Sequence, residues 1–541
     1  MEGEGKEIST KNISLKLCKP EKEIALQLNL TPNDQAYELI RLRLADGKPL
    51  VYNRTYLPEK IFSNLILEDL NQGTLYGILK KKYHQISVLA FEDVQAVNLT
   101  KEEANLLHVK ENTASLKINR KAINDKTSRL SLRRHSLAEI NLYIDLSNIM
   151  NNMRRKKMTY FIHADKFFLE NKTEIGGYLE VDDHGKFGFY YPEDEKPEGK
   201  IVDYTGKWIA PGLVDTHIHG LVNEDSMKSD WEGINKISEG LLQAGVTSWL
   251  PTTITDSDEH LIETCEKYAA HKGEETGAKI QGLHFEGPYF TPKHAGAENP
   301  KYMRDPSIEE LRRYEKASDG MLIKMSMAPE RKGSKEFVRQ AVKDGIIIAL
   351  GHSASDYKDA IACVEAGATM FCHTYNGMEP MSQHAPNLLG AAYSARLVTD
   401  ELICDGHHVL EPTVRALVRA KGPEHICLIT DCMQAGLMPD GDYMLGELPV
   451  YVKDGMARLK DGDNLAGSIL LLKQAVKNLV DWNVVTPEDA IMMASYVPAR
   501  SINKLDKCGS IKPDKPADFI VLNPDMTLSE TYLDGVSRYK A

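Results

Sequence analysis

Between residues 208 and 431 one pattern recurs: a short apolar run of strand character, a polar tip, and an amphipathic stretch of helical period. Strand-like runs lie at 208–219, 247–253, 278–286, 322–330, 346–352, 369–373, 402–405 and 426–431, with helical stretches such as 234–244, 259–271 and 357–366 between them. A strand with one wet face alternates apolar and polar residues, whereas these runs are apolar nearly throughout. They read as a parallel sheet buried on both faces by the intervening helices. Eight strand–helix units of this kind predict an α/β chain built on a (β/α)8 TIM barrel.

In such barrels the C-terminal strand ends converge on one face, so ligand-type residues at the tips meet there. The first run closes on Asp215-Thr216-His217-Ile218-His219. His217 and His219 stand two apart on a strand and so point to the same side, within reach of one metal ion. Glu286, His352, His373 and Asp431 each end a later run. The gaps between them, 66, 21 and 58 residues, correspond at roughly 25–35 residues per unit to strands three, five, six and eight. Any one of these His could be structural, but four ligand-type residues at four strand tips point to a metal site. Imidazoles with a carboxylate suit a borderline divalent ion: Zn2+ first, with Fe2+, Mn2+ or Co2+ as alternatives.

At 541 residues the chain exceeds one ordinary domain. A net charge of −12 argues against a nucleic-acid-binding surface. No apolar run approaches the roughly 20 residues of a membrane span, and residues 1–7 lack the apolar core of a signal peptide. The eight cysteines form no C-x-x-C pair, so free buried thiols in a reducing cytoplasm are expected. The first 150 residues read as a separate domain. A hairpin is predicted at 36–44 and 49–58 around Ala45-Asp46-Gly47-Lys48, with helical patches at 75–79 and 101–107 and a strand at 114–120. A polar, basic linker is expected at 151–157. The second part, 158–541, holds the barrel at about 208–500. The β-rich segments 158–207, parts of 440–460 and 505–541 are expected to form a small flanking β-sandwich.

Arg41-x-Arg43 with Ala45-Asp46-Gly47-Lys48-Pro49, then Tyr56-Leu57-Pro58 and Arg120, resembles the UTRA domain, the α+β effector-binding half of GntR-type transcription regulators, over roughly residues 10–150. The resemblance implies Arg41 and Arg43 as phosphate contacts of an effector. Asn53 stands where a Glu is usual. Those regulators carry a winged helix-turn-helix ahead of this domain, and no DNA-reading part is expected in the few residues before it here.

The second part is similar to the amidohydrolase superfamily, and within it to the N-acetylglucosamine-6-phosphate deacetylase family. The motifs are Gly282-Leu283-His284-Phe285-Glu286-Gly287-Pro288, Gly351-His352-Ser353, His373-Thr374-Tyr375-Asn376-Gly377-Met378, Asp405-Gly406-His407-His408, Thr430-Asp431 and Leu465-Ala466-Gly467-Ser468. This resemblance implies that Glu286, His352 and His373 bind the principal metal and that Asp431 is the acid/base. The His217-x-His219 pair is found in members able to hold a second ion, so one or two metals per subunit are expected. Substrate contacts are implied at Ala297, Asn376, Gly377, His408, Leu465, Ala466 and Gly467. His384 replaces a phosphate-contacting Arg of the family, and lacks its bidentate fork and permanent charge. The implied partner is a small amino sugar phosphate, and the implied assembly a homodimer. Two alternatives are an amidohydrolase for another N-acyl or cyclic amide, and a sugar-phosphate-responsive regulatory protein with a weak active site. The intact set Glu286, His352, His373 and Asp431 weighs against the latter.

Overall fold

Eight parallel strands follow one another in chain order: Leu213–Ile218, Val246–Thr253, Leu283–Glu286, Leu322–Met327, Ile347–Leu350, Met370–Phe371, Thr399–Ile403 and Ile426–Ile429. The eighth returns to the first through a parallel bridge between Ile218 and Cys432, and the Asp431 N–H donates to the His217 carbonyl at 2.9 Å. The sheet is thereby closed into the predicted (β/α)8 barrel. The computed structural model behind this description covers residues 8–21, 24–25, 28, 30–31, 34–45, 47–67, 70, 75–83, 87–110, 113–124, 129–137 and 159–541 apart from 463. The expected linker at 151–157 and the expected boundary residue Met158 lie outside the described residues. The chain divides into two units, Met1–Arg154 and Arg155–Ala541.

The barrel strands are buried along their length, apart from Ile323 on the fourth, as the apolar runs required. The helices between them present one apolar stripe each. Trp231–Leu241 buries Ile234, Ile237 and Leu241, and Ser334–Lys343 buries Phe337, Val338 and Ala341, at the three- and four-residue spacing of one helical face. The seventh strand begins at Thr399 rather than at Leu402. Asp400 and Glu401 interrupt its apolar pattern, yet both are fully buried because each meets a lysine, Lys421 and Lys324 respectively.

Residues 160–211 and 519–540 supply a flanking sheet of eight strands. On its strand Phe519–Leu522, Ile520 and Leu522 join the barrel core while Phe519 and Val521 join a second core with Ile162, Phe167 and Phe187. That is the period-two partition of a strand covered on both sides. The strands of the 440–460 region, expected in the same layer, pair with one another and not with that sheet. Gly441–Leu445, Leu448–Lys453 and Met456–Leu459 form a separate three-stranded antiparallel sheet. It has its own apolar cluster, in which Val450 and Val452 meet Ile254 and Met433, so it belongs to the barrel mouth.

The first unit contains an antiparallel six-stranded sheet in the order Ile8–Cys18, Ala36–Ala45, Lys48–Pro58, Arg129–Leu137, Ala114–Asn124 and Ser87–Asn98. The predicted hairpin is present, with Arg41 opposite Asn53 and Arg43 opposite Val51. Helices occupy Leu75–Tyr83 and Lys101–Leu107. The second starts at a capping box in which Thr100 and Glu103 satisfy each other's backbone N–H groups.

Candidate metal centre and active site

Strand geometry brings the expected residues together at the barrel mouth. His217 is the penultimate residue of the first strand and Glu286 ends the third, whereas His219, His352, His373 and Asp431 lie just past the first, fifth, sixth and eighth. Donor atoms of His217, His219, Glu286 and Asp431 all lie within 4.8 Å of one another. The Glu286 carboxylate is the hub. Its Oε1 is 2.9 Å from His373 Nε2 and 3.3 Å from His352 Nε2. Its Oε2 is 3.1 Å from His219 Nε2 and 3.3 Å from His217 Nε2. Asp431 Oδ1 is 3.0 Å from His219 Nε2.

The imidazoles are held so that their Nε2 atoms converge. His352 Nδ1 faces the His294 carbonyl at 2.8 Å, and His373 Nδ1 the Asn376 carbonyl at 3.1 Å. A carbonyl only accepts, so each Nδ1 carries a proton and Nε2 is the nitrogen left to face the cluster. His217 Nδ1 is fixed in the same way by Glu401 Oε2 at 3.3 Å. The Nε2 atoms of His352 and His373 meet at 3.0 Å, and buried His217 Nε2 makes no hydrogen bond. Imidazole nitrogens and carboxylate oxygens converging at this range form the donor set of a divalent cation. The residues therefore fit a divalent metal, and the outer carbonyl and carboxylate partners are those that ligating histidines ordinarily keep.

Backbone strain accompanies this convergence. His352, His373 and Asp431 have φ of 44°, 23° and 53°, in the left-handed region, a conformation costing a non-glycine residue about 1–3 kcal/mol. Two glycines permit it. A Cβ on Gly377 would sit 2.8 Å from His352 Nδ1, and one on Gly467 3.1 Å from the Asp431 carbonyl. Ser468 N–H donates to that carbonyl at 2.7 Å.

Electrostatics follow from the crowding. Burial opposes the charge on Glu286, but the surrounding imidazoles hold its carboxyl well below the usual range. Burial likewise opposes ionisation of Asp431, and the neighbouring His219 and His217 hold its carboxyl below the usual range. Asp431 is thus a carboxylate able to accept a proton.

The cluster floors a cavity of about 140 Å³. Ala297, Asn376, Gly377, His408, Leu465 and Gly467 line it, whereas Ala466 is buried beneath in the apolar cluster at the mouth. His408 is oriented by Asp405, whose Oδ2 lies 2.7 Å from its Nδ1. His384 is exposed on the 381–385 segment, outside the cavity wall. In the first unit Arg41 is buried and Arg43 exposed.

Three charged side chains at or beneath the site escaped the sequence reading. Glu298 is buried in the cavity wall and accepts from the Thr255 N–H. Burial and the charge of Glu286 push its carboxyl well up. Lys324 and Glu401 lie inside the barrel under the cluster. Burial works against ionisation of Glu401, but the adjacent Lys324 ammonium holds it at about 2. The signal for these two was a charged residue inside an otherwise apolar strand.

Comparison with known proteins agrees with this geometry. Residues 208–537 match the amidohydrolase family and residues 3–136 the UTRA domain. N-acetylglucosamine-6-phosphate deacetylase of Vibrio furnissii is 33% identical over 384 residues, covering 71% of this chain and 96% of the relative. N-acetylgalactosamine-6-phosphate deacetylase of Escherichia coli O157:H7 is 35% identical, over 62% of this chain and 89% of its own length. A mutant N-acetyl-D-glucosamine-6-phosphate deacetylase of Mycobacterium smegmatis, solved with N-acetyl-D-glucosamine-6-phosphate, superposes with a TM-score of 0.68 at 27% identity, covering 71% of this chain and 100% of that one. With the barrel, the converging donors and these matches in agreement, the chain belongs to the amidohydrolase family and carries a UTRA domain before its catalytic unit.

Proposed function

We propose that the catalytic unit hydrolyses the acetamide of N-acetyl-D-glucosamine 6-phosphate, giving D-glucosamine 6-phosphate and acetate. The observation that carries this is the cluster around Glu286, with the ionised Asp431 at its edge and an open cavity above. A divalent ion bound by Glu286, His352 and His373, with His217 and His219 offering donors for a second, would lower the pKa of water and polarise the amide carbonyl. We take the metal to be zinc, for which imidazole and carboxylate are suitable donors. Asp431 receives the proton of the attacking water. It then returns it to the amide nitrogen, because an amine leaves far more readily than an amide anion. His408, Asn376 and the Leu465-Ala466-Gly467 turn orient the sugar, and His384 contributes to the phosphate.

In the first unit, Arg41 and Arg43 are proposed as effector contacts for an amino sugar phosphate. Reduced cysteines, seven of the eight buried, favour a cytoplasmic location, and none of the described helices is long and apolar enough to cross a membrane. We further propose a homodimer that does not engage nucleic acid.

The 35% identical E. coli relative, named for the galactosamine epimer, makes the C4 configuration the second reading. Kinetics on the gluco and galacto N-acetyl sugar 6-phosphates and on unphosphorylated N-acetylglucosamine, with metal analysis of the same preparation, decides between them. Absence of acetate release from all three would remove the proposal.

A further inference from the structure

The barrel interior beneath the metal cluster contains a polar layer that folding does not call for. Lys324 on the fourth strand and Glu401 on the seventh are fully buried and in direct contact. Lys324 Nζ also donates to the Thr216 carbonyl at 3.2 Å. Glu401 Oε2 reaches two ligand-bearing residues, His217 Nδ1 at 3.3 Å and the His373 backbone N–H at 3.3 Å. TIM-barrel interiors are ordinarily filled by Val, Ile and Leu, and a buried ion pair is commonly no better for stability than the apolar side chains it replaces. What the pair touches gives the better account of it. By accepting at Nδ1, Glu401 aims the Nε2 lone pair of His217 at Glu286 and Asp431, where that nitrogen has no hydrogen bond. The principal set of Glu286, His352 and His373 needs no such help, since both of its imidazoles are oriented by backbone carbonyls.

We infer that Glu401, charge-balanced by Lys324, is a positioning residue that makes His217 a metal ligand and thereby makes the centre binuclear. The inference deepens the reading of the site as a metal-dependent deacetylase and rests on its metal dependence, though not on the identity of the sugar. Glu401 touches no substrate. It acts through the imidazole, and Lys324 is its direct ion-pair partner in a dry interior.

The test is metal stoichiometry and affinity in the full chain, loaded with Zn2+ and dialysed, for wild type, Glu401→Gln and the double variant Glu401→Gln/Lys324→Met. Glutamine keeps the shape but removes the charge. The double variant also removes the lysine that Glu401→Gln would leave buried without its partner, and so guards against simple misfolding. Wild type is expected to hold two equivalents. Both variants are expected to hold one tightly and to bind the second about 10- to 100-fold more weakly. With Co2+ as probe, the absorption of one site only should be lost. Two tight equivalents in the folded variants, a single equivalent in wild type, or loss of both ions together from a folded double variant would each overturn the inference. Wild-type turnover measured alongside separates the two ideas: an inactive protein with two tight sites sinks the deacetylase reading and leaves the role of Glu401 standing.

Discussion

Asp431→Asn isolates the proton-transfer role from everything else this residue does. Its backbone is fixed independently of the carboxylate: the N–H donates to the His217 carbonyl at 2.9 Å and the carbonyl accepts from Ser468 at 2.7 Å. Its φ of 53° is left-handed, a conformation that Asn tolerates nearly as well as Asp while Ala would add strain. The fold and the donors on Glu286, His352 and His373 should therefore survive the change. What is lost is a group that must both take a proton from water and deliver one to the leaving nitrogen. Positioned acid–base catalysis contributes about 100- to 10,000-fold, or roughly 2.7 to 5.4 kcal/mol at 1.36 kcal/mol per decade. Serving both half-reactions puts Asp431 toward the upper end. Acetate release under saturating sugar phosphate should show kcat falling by at least about 100-fold, with KM and bound metal close to wild type. An unchanged kcat in a metal-replete Asp431→Asn protein would refute the assignment. A parallel loss of metal would show the residue to be chiefly a ligand.

Glu286→Gln should lose both metal and turnover, because its two oxygens face four imidazoles; elemental analysis showing full occupancy would contradict that. His408→Ala should raise KM about tenfold, the worth of one hydrogen bond to a charged or polar group, with little change in kcat; a kcat collapse would place His408 in the chemistry. His384→Arg is expected to lower KM for the phosphorylated sugar while leaving unphosphorylated N-acetylglucosamine unaffected, since the added guanidinium acts on the ground state. An equal effect on both sugars would remove His384 from the phosphate.

The barrel was legible because its signal is redundant. Eight apolar runs at regular spacing admit few other architectures, and a misplaced strand start leaves the others in place. The start of the seventh strand was missed for a physical reason. Asp400 and Glu401 look like loop residues until Lys421 and Lys324, distant in sequence, are seen to meet them. Periodicity registers hydrophobicity and is blind to a buried pair whose halves lie 77 residues apart. The donor set was readable from strand tips alone because tip position is a local property. Its support was not, since the carbonyls of His294 and Asn376 carry no side-chain signature. The 441–459 strands were recognisable as strands, but which sheet they join depends on a nonlocal cluster with Ile254 and Met433.

The two units pose a separate question: whether catalysis needs the first. A chain beginning at Met158 would retain every donor of the cluster, the flanking sheet from Tyr160 onward and the three-stranded sheet at the mouth. The V. furnissii relative is accounted for over 96% of its length by 384 residues of this chain, which leaves no room in it for a counterpart of the first unit. The truncated protein is therefore expected to fold, bind metal and turn over with the kcat of the full chain. If the UTRA unit only assembles subunits, truncation changes the mass in solution and nothing kinetic. If it senses an amino sugar phosphate, glucosamine 6-phosphate should shift KM of the full chain but not of the fragment, and Arg41→Ala or Arg43→Ala should abolish the shift. Linkage then demands that a substrate analogue in the cavity alter effector affinity by the same factor, typically about 5- to 150-fold. An effector response that persists in the fragment would be competition at the active site. An insoluble fragment would mean that the units share a core, and that 158 is not a boundary.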